Sequence, residues 1–520
     1  MPAPALLARV NHHADTRPEA IAYRVASGAS LTYRQLADRV AALSIWLADR
    51  LKPGDVVMLS CPSQLEYPIA FLAILAAGCT VFPVSAEAAD VELSRAAAES
   101  GAVAVIGDDR AVSLLHTLVS FTVSMGTVRT ERANQLGGMG VSPMFLVKED
   151  MGETPMPPFH PTLTADSTGK NAPLRVAAKR GPGDLLLQSS GTTGLPKIIR
   201  RSGASLDAVA KAMADAIGFG PEDRVLMTVP LTHSYGLEHG LLAPLWAGSG
   251  VHLCRGLAMQ TILPALAGDI TIFPGVPSTF EMLVAHPGDS PVLPNLRRAY
   301  SAGAPLPPSV FHAFEKRFGV RVTQLYGATE IGSVAYNSPG EPFDPASVGV
   351  AMEGVAIRIL AVDDPYSPLP TRLEGQIAVR ANSMFSGYFN EPAELMDGYF
   401  PTGDLGYLDD VGRLFVTGRI KLLIDVGGMK VNPLEVEAIL QQHPGVAACA
   451  VIGVKQSATV NRLKAIVVPR DPDAPPSVDE LRQLARAHLS GYKIPRAFEI
   501  RQALPRSTSG KILRHLLEEA

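Results

Sequence analysis

The repeated alternation of strand-like and helical segments is the feature that most restricts how this chain can fold. Thr32 and Gln35 have the spacing of a capping box, so a helix is predicted to begin at about Thr32. An apolar run at 56–60, a helical segment at about 64–77 and a second apolar run at 80–84 follow it. Strand, helix and strand in this order predict a βαβ unit and a parallel sheet. The predicted fold class is therefore α/β.

The same alternation returns after a weaker stretch. Residues 124–183 are rich in Pro, Gly, Met and Thr, and we expect mostly irregular connection there with some short strands. A strand at 184–188 and a helix near 206–217 resume the pattern, which continues to about residue 323. These segments predict a second α/β layer.

The pattern of short segments changes again toward the C-terminus. After Glu330, short alternating runs separated by Gly and Pro predict a small β subdomain. A new α/β pattern starts at 418, with helices predicted at 433–441 and 478–489. We expect a large N-terminal domain of α/β layers with a small β subdomain, and a small C-terminal α/β domain.

The length of the chain supports this division. At 520 residues it exceeds the roughly 250 to 300 residues at which a single hydrophobic core stops growing. The boundaries predicted from the change in pattern are residues 1–417 for the N-terminal domain, 418–421 for a hinge and 422–520 for the C-terminal domain.

Composition excludes several classes of function. The 46 basic and 50 acidic residues give a net charge of −4 without a concentrated basic stripe, so nucleic acid is not an expected partner. The longest apolar stretch, 70–84, contains Gly78 and Pro83 and is shorter than the roughly 20 residues that span a bilayer. The first nine residues lack the pattern of a signal peptide. We therefore predict a cytoplasmic protein with no membrane span.

A polar segment directly after the strand at 184–188 has the composition of a polyphosphate-binding loop. It contains, in order, Ser189, Ser190, Gly191, Thr192, Thr193, Gly194, Leu195, Pro196 and Lys197. Glycines let the backbone approach an anion, hydroxyls donate to phosphate oxygens, and the lysine adds positive charge. The alternative is a flexible surface loop, which so long a run of these residue types disfavours. The spacing is not that of a Walker A motif.

A second candidate segment is Tyr326-Gly327-Ala328-Thr329-Glu330. Its aromatic ring can stack on a nucleobase, and a hydroxyl beside a carboxylate suits a phosphate oxygen and a phosphate-bound magnesium ion. On their own, five such residues more often form a simple turn. Further motifs give them weight: Thr-Gly-Asp at 402–404, Gly-Arg-Ile-Lys at 418–421, Gly-Gly-Met-Lys-Val-Asn-Pro at 427–433 and Ser-Thr-Ser-Gly-Lys-Ile at 507–512.

Together and in this order, these motifs resemble the acyl-adenylate-forming superfamily of acyl-CoA synthetases, adenylation domains and luciferases. The resemblance covers nearly the whole chain and is closest to acyl- and aryl-CoA ligases. It implies activation of a carboxylic acid as its acyl-AMP, followed by transfer of the acyl group to a thiol. The implied cofactors are ATP, Mg²⁺ and coenzyme A, or the phosphopantetheine arm of a carrier protein in place of CoA.

The resemblance also implies roles for residues around ATP. The loop at 189–197 would hold the β- and γ-phosphates, and Gly303, Ala304 and Tyr326 would hold the adenine. Asp404 would accept hydrogen bonds from the ribose hydroxyls, with Arg419 assisting at the sugar.

The implied catalytic residues are Lys511, Thr329 and Glu330. Thr329 would contact the α-phosphate and Glu330 would bind magnesium. The ammonium of Lys511 would stabilise charge that builds up on the α-phosphate as pyrophosphate leaves. A lysine near a C-terminus is ordinarily only a surface residue, and its motif is what favours the catalytic role.

The same family rotates its small domain between the two reactions, with Lys421 at the hinge position. Lys511 would then leave, and Gly427 and Gly428 would face the active site and leave room for a pantetheine arm. Met429 stands where the family often has Glu, a departure on the side of the thiol contacts.

The acid itself is less closely defined. His233 and Ser234 lie in a segment that resembles the acyl-pocket border of aryl- and fatty-acyl-CoA ligases, although a lone histidine here is as compatible with a packed polar residue. Val276 and Ser301 belong to the other expected pocket walls. These walls are mostly small and apolar, which predicts an uncharged, hydrophobic aryl or aliphatic acid.

Three alternatives stay open at the level of sequence. The nearest is a stand-alone adenylation enzyme that loads a separate carrier protein. A luciferase-like oxidative enzyme shares the first half-reaction, and a non-catalytic relative is disfavoured by the presence of Lys511, Asp404 and Glu330. The oligomeric state is also open, although a homodimer is common in the family.

Overall fold

The computed structural model of the chain describes residues 4–62, 64–116, 118–119, 121–124, 146–149, 152–155, 183–188, 197–254, 256–288, 291–340, 343–364, 366–389, 391–426, 429–455, 461–506 and 512–518. The strands are β1 (Ile21–Val25), β2 (Ser30–Thr32), β3 (Val56–Ser60), β4 (Thr80–Pro83), β5 (Ala104–Gly107), β6 (Phe121–Ser124), β7 (Leu146–Glu149), β8 (Gly152–Pro155), β9 (Leu185–Gln188), β10 (Ile198–Arg201), β11 (Arg224–Met227), β12 (Gly250–Leu253), β13 (Ile272–Gly275), β14 (Arg298–Ser301), β15 (Val322–Ala328), β16 (Gly332–Tyr336), β17 (Val350–Ala351), β18 (Val355–Leu360), β19 (Gly375–Ala381), β20 (Gly387–Tyr388), β21 (Glu391–Pro392), β22 (Phe400–Leu408), β23 (Leu414–Arg419), β24 (Ile424–Val426), β25 (Met429–Val431), β26 (Val446–Lys455), β27 (Asn461–Pro469) and β28 (Ala497–Ile500).

The helices pack on the faces of these sheets. They are α1 (Ala5–Thr16), α2 (Tyr33–Arg50), α3 (Glu66–Ala76), α4 (Asp90–Ser100), α5 (Asp109–Leu115), α6 (Gly203–Ile217), α7 (Ser234–Leu237), α8 (Ala243–Ala247), α9 (Met259–Ala267), α10 (Pro277–Ala285), α11 (Pro308–Phe318), α12 (Pro433–Leu440), α13 (Val478–His488) and α14 (His515–Glu518). A π-helical turn covers Glu238–Leu242, and 3₁₀ turns cover Ile420–Leu422 and Gly491–Lys493.

The predicted βαβ unit is confirmed. Thr32 is the N-cap of α2, its hydroxyl accepts from the Gln35 backbone N–H, and the Gln35 side chain accepts from the Thr32 N–H. Strands β3 and β4 lie side by side in parallel, and α3 connects them. Within the weak stretch 124–183, β7 and β8 form an antiparallel hairpin, while most of the remainder lies outside the described residues.

Two large mixed sheets make up most of the N-terminal domain. The first has the strand order β17-β16-β15-β14-β13-β11-β12-β1-β2, and the second has the order β21-β20-β10-β9-β4-β3-β5-β6-β7-β8. In the first sheet the strands from β15 to β1 are parallel, since their connections cross over through helices. A smaller antiparallel sheet, β18-β19-β22-β23, corresponds to the predicted β subdomain.

The C-terminal region has a sheet and a core of its own. Strands β26, β27 and β28 form the sheet, and α12 and α13 supply apolar residues such as Val436, Leu440 and Leu481 to its core. The α/β fold class with a large N-terminal and a small C-terminal domain is therefore confirmed. No helix in the described ranges is both long and apolar enough to cross a membrane.

Candidate active site

Several of the predicted ATP and acyl residues lie at one edge of the first sheet. Strands β13, β14 and β15 are parallel neighbours, with Gly275 opposite Ser301 and Ser301 opposite Gln324. Their carboxyl ends therefore lead into the same crevice, which is where ligands bind in open α/β sheets. Val276 follows the end of β13, and Gly303 lies just beyond the end of β14.

Tyr326, Asp404 and Arg419 form the most completely described part of this site. The Tyr326 hydroxyl donates a 2.6 Å hydrogen bond to Asp404 Oδ2, and Arg419 Nε donates to the other carboxylate oxygen, Oδ1. Asp404 on β22 lies directly opposite Arg419 on β23, so strand pairing brings the two charges together. The structure thus places in contact three residues that are 78 and 15 positions apart in the sequence.

The electrostatics of this cluster follow from its burial. Burial raises the pKa of Tyr326 well above its ordinary value, and the neighbouring Asp404 charge raises it further, so the phenol stays a donor. Burial alone would lower the pKa of the Arg419 guanidinium, but the Asp404 carboxylate outweighs burial and raises it. The cluster therefore presents a fixed carboxylate and a fixed cation, a pair suited to a sugar hydroxyl and a phosphate.

Thr329 and Glu330 lie in the turn between β15 and β16 and are half-buried. The carbonyl of Glu330 accepts a 2.8 Å hydrogen bond from the Phe385 N–H, which ties the turn to the segment before β20. The pKa of the Tyr388 phenol is raised by burial first and then by the charges of Glu330, Glu391 and Glu394. The Glu330 carboxylate therefore acts electrostatically on the ring that Lys197 contacts.

Lys197, the last residue of the predicted phosphate-binding loop, is exposed directly before β10. Its Nζ lies 4.5 Å from the centre of the Tyr388 ring and 4.0 Å from the Glu391 carboxylate. Ser189, Ser190, Gly191, Thr192, Thr193 and Gly194 lie outside the described residues. The two ends of the loop, β9 and β10, are paired in antiparallel fashion, so its base is defined.

The backbone after β14 has a conformation that allows a ligand to approach it closely. Gly303 has φ +88°, a left-handed conformation that favours glycine, and a side chain there would point toward Val276 Cγ1 at 4.0 Å. Ala304 is exposed next to it. Ser301 and Val276 are buried, and the Ser301 hydroxyl has no hydrogen-bond partner among the described residues.

The His233 segment forms the neighbouring wall. His233 is exposed and is the N-cap of α7, Ser234 is half-buried, and the hydroxyl of Tyr235 donates to the Gly275 carbonyl at 3.0 Å. This hydrogen bond holds α7 against the end of β13. The structure therefore brings His233 and Ser234 to the same edge as Val276 and Ser301.

The C-terminal residues of the prediction are described only in part. Lys511, Gly427 and Gly428 lie outside the described residues, and Lys421 is exposed in the 3₁₀ turn after β23. Arg506 and Ile512, on either side of Lys511, form an antiparallel bridge. The Arg506 guanidinium also lies 4.0 Å from Glu281 on α10, the helix that begins just after Val276.

Five buried residues close to the site were missed at the level of sequence: Arg201, Glu238, His239, Tyr300 and Ser333. They are joined by hydrogen bonds and are called here the buried polar chain. A signal did exist, because Glu238 and His239 open a π-helical turn in an apolar segment. Charged residues in such places are rare unless they are paired.

A cavity of about 360 Å³ lies on the C-terminal domain, and Val426, the residue before Gly427 in the sequence, is one of its lining residues. Arg462, Tyr492 and Arg496 line it together with Leu463, Gly491 and Ile494. Two arginines and a tyrosine are residue types that suit a phosphate-bearing nucleotide.

The described residues fit a magnesium ion that is held mainly by a substrate. They contain no group of three or more His, Cys, Asp or Glu residues that could hold a metal ion by themselves. Magnesium commonly binds one or two protein carboxylates together with substrate phosphates. The Glu330 carboxylate, near the base of the predicted phosphate loop, is suited to that arrangement.

Comparison with known proteins is consistent with this geometry. The family model described as AMP-binding enzyme matches residues 10–389, and its C-terminal domain model matches residues 435–511. The chain is 32% identical to a sulfoacetate–CoA ligase from Cupriavidus necator, with 94% of this chain and 92% of the relative covered. It is 30% identical to a feruloyl-CoA synthase from an Amycolatopsis species, with 96% and 95% covered. The crystal structure of ATP-bound MatB from Rhodopseudomonas palustris superposes with a TM-score of 0.84 at 25% identity, covering 100% of this chain and 99% of that one.

Proposed function

Because the chain belongs to the family of AMP-binding enzymes, we propose that it is an AMP-forming acid–thiol ligase that joins a hydrophobic carboxylic acid to coenzyme A. The observation that carries the proposal is the Tyr326–Asp404–Arg419 cluster, in which Tyr326 and Asp404 are buried; Tyr326 lies on β15, just before Thr329 and Glu330. Its relatives that are named for a reaction include CoA ligases and synthetases.

In the first half-reaction, a carboxylate oxygen of the acid attacks the α-phosphorus of ATP, and pyrophosphate leaves. Asp404 would accept hydrogen bonds from the ribose hydroxyls, while Tyr326 and Arg419 hold its carboxylate in place. Thr329 would donate to the α-phosphate and Lys197 would face the leaving phosphates. A magnesium ion bound at Glu330 would neutralise phosphate charge.

In the second half-reaction, the thiol sulfur attacks the acyl carbon and AMP leaves. We place Lys511 at the α-phosphate in the first step and Gly427 and Gly428 beside the pantetheine arm in the second, with rotation about Lys421 between them. The proposed domains are 1–417, 418–421 and 422–520. The small domain would thus contribute different residues to two reactions at one acyl site.

The walls of the acyl site favour an uncharged substrate. Val276 and Ser301 are buried, and burial lowers the pKa of His239 well below its ordinary value, so its imidazole is neutral. The charges of Arg201 and Glu238 behind these walls are paired with each other at 2.6 Å. A hydrophobic aryl or aliphatic acid therefore suits this pocket better than a second carboxylate would.

Free CoA is favoured over a carrier protein by the cavity on the C-terminal domain. CoA has an adenosine and phosphates beyond its pantetheine arm, and the cavity offers Arg462, Arg496 and the Tyr492 ring. A carrier-protein arm has no nucleotide to place there. Loading of a carrier in trans is the second candidate, since it would use the same adenylation site.

The experiment is a measurement of pyrophosphate release with aryl, fatty and polycyclic acids, each with ATP and magnesium, with and without CoA. Multiple turnovers that depend on CoA for one class of acid are expected. Release of one equivalent that CoA does not accelerate would contradict the choice of thiol and favour a carrier protein. No release with any acid would contradict the ligase itself.

A matched pair of variants separates the thiol site from the adenylation site. Arg496→Ala is expected to raise the KM for CoA about tenfold and to leave pyrophosphate exchange within twofold of wild type. Arg470→Ala, an arginine of the same domain outside the cavity, is the control. An unchanged KM for CoA in Arg496→Ala would argue against this cavity as the nucleotide site.

A further inference from the structure

A continuous set of side-chain hydrogen bonds runs behind the candidate active site. The distances are 2.6 Å from Tyr300 Oη to His239 Nδ1, 3.3 Å from His239 Nε2 to Ser333 Oγ, and 2.7 Å from Ser333 Oγ to Glu238 Oε2. Arg201 Nη1 then contacts Glu238 Oε1 at 2.6 Å. All five residues are at most 4% exposed.

The chemistry of the groups fixes the direction of every donor. An ionised carboxylate only accepts, so the Ser333 hydroxyl must donate to Glu238. Its oxygen can then accept from His239 Nε2–H. Because the imidazole is neutral, its Nδ1 is left without a proton and accepts from the Tyr300 hydroxyl. The donors therefore run from Tyr300 through His239 and Ser333 to Glu238.

Stability alone does not explain the charged end of this chain. Burying two ions costs more than a single contact returns unless the remaining hydrogen-bonding groups are also satisfied. Arg201 is fully buried, and its Nε and Nη2 have no hydrogen-bond partner among the described residues. A pair of apolar residues would fill the same space at lower cost. The pair is better explained by the position in which it holds the neighbouring segments of the candidate site.

The residues of the chain lie on the segments that build the site. Arg201 ends β10, which follows the predicted phosphate loop, and Tyr300 precedes Ser301 of the acyl pocket. Ser333 is on β16, opposite Gly327 of β15 and three residues after Glu330. Glu238 Oε2 accepts from both the Ser333 hydroxyl and its backbone N–H, at 2.7 and 3.0 Å.

The backbone beside Glu238 leaves little room for a side chain at position 332. Gly332 has φ +72°, and a side chain at this position would come within 3.0 Å of Arg201 Nη2 and 3.2 Å of Glu238 Oε1. The turn with Thr329 and Glu330 ends directly before this glycine. The position of the turn is therefore defined by the Glu238 carboxylate, because Gly332 and Ser333 pack against it.

We propose that Glu238 is a positioning residue for adenylation, which holds the Thr329–Glu330 turn in place through Ser333 and links it to the acyl-pocket wall at Tyr300. The inference rests on the proposed function, because it assigns the turn to phosphate and magnesium. Glu238 and Ser333 act through the turn and do not touch the reacting atoms. Their effect should therefore appear in the first half-reaction and not in the second.

The test is Ser333→Ala, which removes the hydroxyl link and leaves the backbone link to Glu238. We expect the KM for MgATP in pyrophosphate exchange to rise about tenfold, with a matching rise in the magnesium concentration needed for half-maximal rate. Thioester formation from supplied acyl-adenylate should stay within twofold of wild type. Ser333→Thr, which keeps a hydroxyl, should restore most of the affinity for MgATP.

Ser249→Ala is the matched control, because Ser249 is equally buried and its hydroxyl donates to the Gly220 carbonyl, which is outside the buried polar chain. Equal changes in melting temperature in the two alanine variants, with the KM change confined to Ser333→Ala, support positioning. Equal KM values in both variants would overturn it, as would an equal loss in both half-reactions. Failure of wild type to exchange pyrophosphate would instead overturn the proposed function.

Discussion

The two domains each contain a buried carboxylate–guanidinium pair, and the pairs are built differently. In the large domain, Arg201 makes one contact with Glu238, and two of its nitrogens have no partner within the described ranges. In the small domain, Arg514 contacts both oxygens of Glu437 at 2.6 and 2.9 Å. Arg514 also donates to the Val451 carbonyl at 2.9 Å, and the Val451 N–H donates to Glu437 at 2.6 Å.

The difference indicates two uses for a buried ion pair. Glu437 and Arg514 join α12 to β26 and to the segment that follows Lys511, so this pair fastens the end of the chain to the small domain. Burial nevertheless raises the pKa of Glu437 above its ordinary value, so even a bidentate partner does not offset the full cost. Glu238 and Arg201 recover less of that cost, and in our proposal they hold the Thr329–Glu330 turn in position.

The largest effect on catalysis is expected from Lys511→Ala. This change tests whether the segment that precedes Arg514 supplies the catalytic lysine. Lys511 lies three residues before Arg514. Removing a cation that stabilises charge in the transition state should slow pyrophosphate exchange by about a hundredfold or more. Thioester formation from supplied acyl-adenylate should be largely retained. Lys493→Ala, at a lysine paired with Glu435 in the same domain, is the control, and an unchanged exchange rate in Lys511→Ala would refute the role.

The largest effect on stability is expected from Arg514→Leu. This change leaves the Glu437 charge buried without its partner, which costs about 3 to 5 kcal/mol. Urea denaturation followed by circular dichroism would measure it. Arg482→Leu, which breaks an exposed pair with Asp479 at 3.0 Å, should cost less than about 1 kcal/mol. Similar midpoints for the two variants would contradict the fastening role of the Arg514 pair.

Matched neutral replacements of both pairs sharpen the comparison further. Glu238→Gln with Arg201→Met keeps an acceptor for Ser333 and removes both charges, so the free energy of unfolding should change by about 1 kcal/mol or less. Glu437→Gln with Arg514→Met also loses the bond to the Val451 carbonyl and should cost about 2 kcal/mol. The order of the two costs is the prediction, and a larger cost in the large domain would reverse the interpretation.

Local sequence patterns predicted most of the individual elements. The capping box at Thr32 and the runs that became β3 and α12 were predicted to within a residue or two, because periodicity and capping depend on near neighbours. The order of the strands was not predicted. β1 lies beside β12 across more than two hundred residues, and nothing local to either strand specifies that partner.

The candidate site divides in the same way. Motifs identified Tyr326, Asp404 and Arg419 one by one, and the structure shows that Tyr326 and Arg419 both donate to Asp404. The buried polar chain had no motif, since its residues come from β10, β14, β16 and the π-helical turn and meet only after folding. Unusual polar residues in apolar segments were the available signal, and such a signal does not name a partner.

The smallest effect is expected from an exposed pair, which completes the comparison. Lys197 and Glu391 are 4.0 Å apart and their side chains are 61% and 71% exposed, so solvent and salt screen their interaction. Glu391→Gln removes a negative charge next to the predicted phosphate loop and should lower the KM for MgATP by less than about twofold. The change should shrink further as salt is added. Because Glu391 would compete only weakly with phosphate for Lys197, a tenfold change would mean that this pair is shielded from water when ATP binds. The distinction between buried pairs that fix position and exposed pairs that do little would then not hold at this edge of the site.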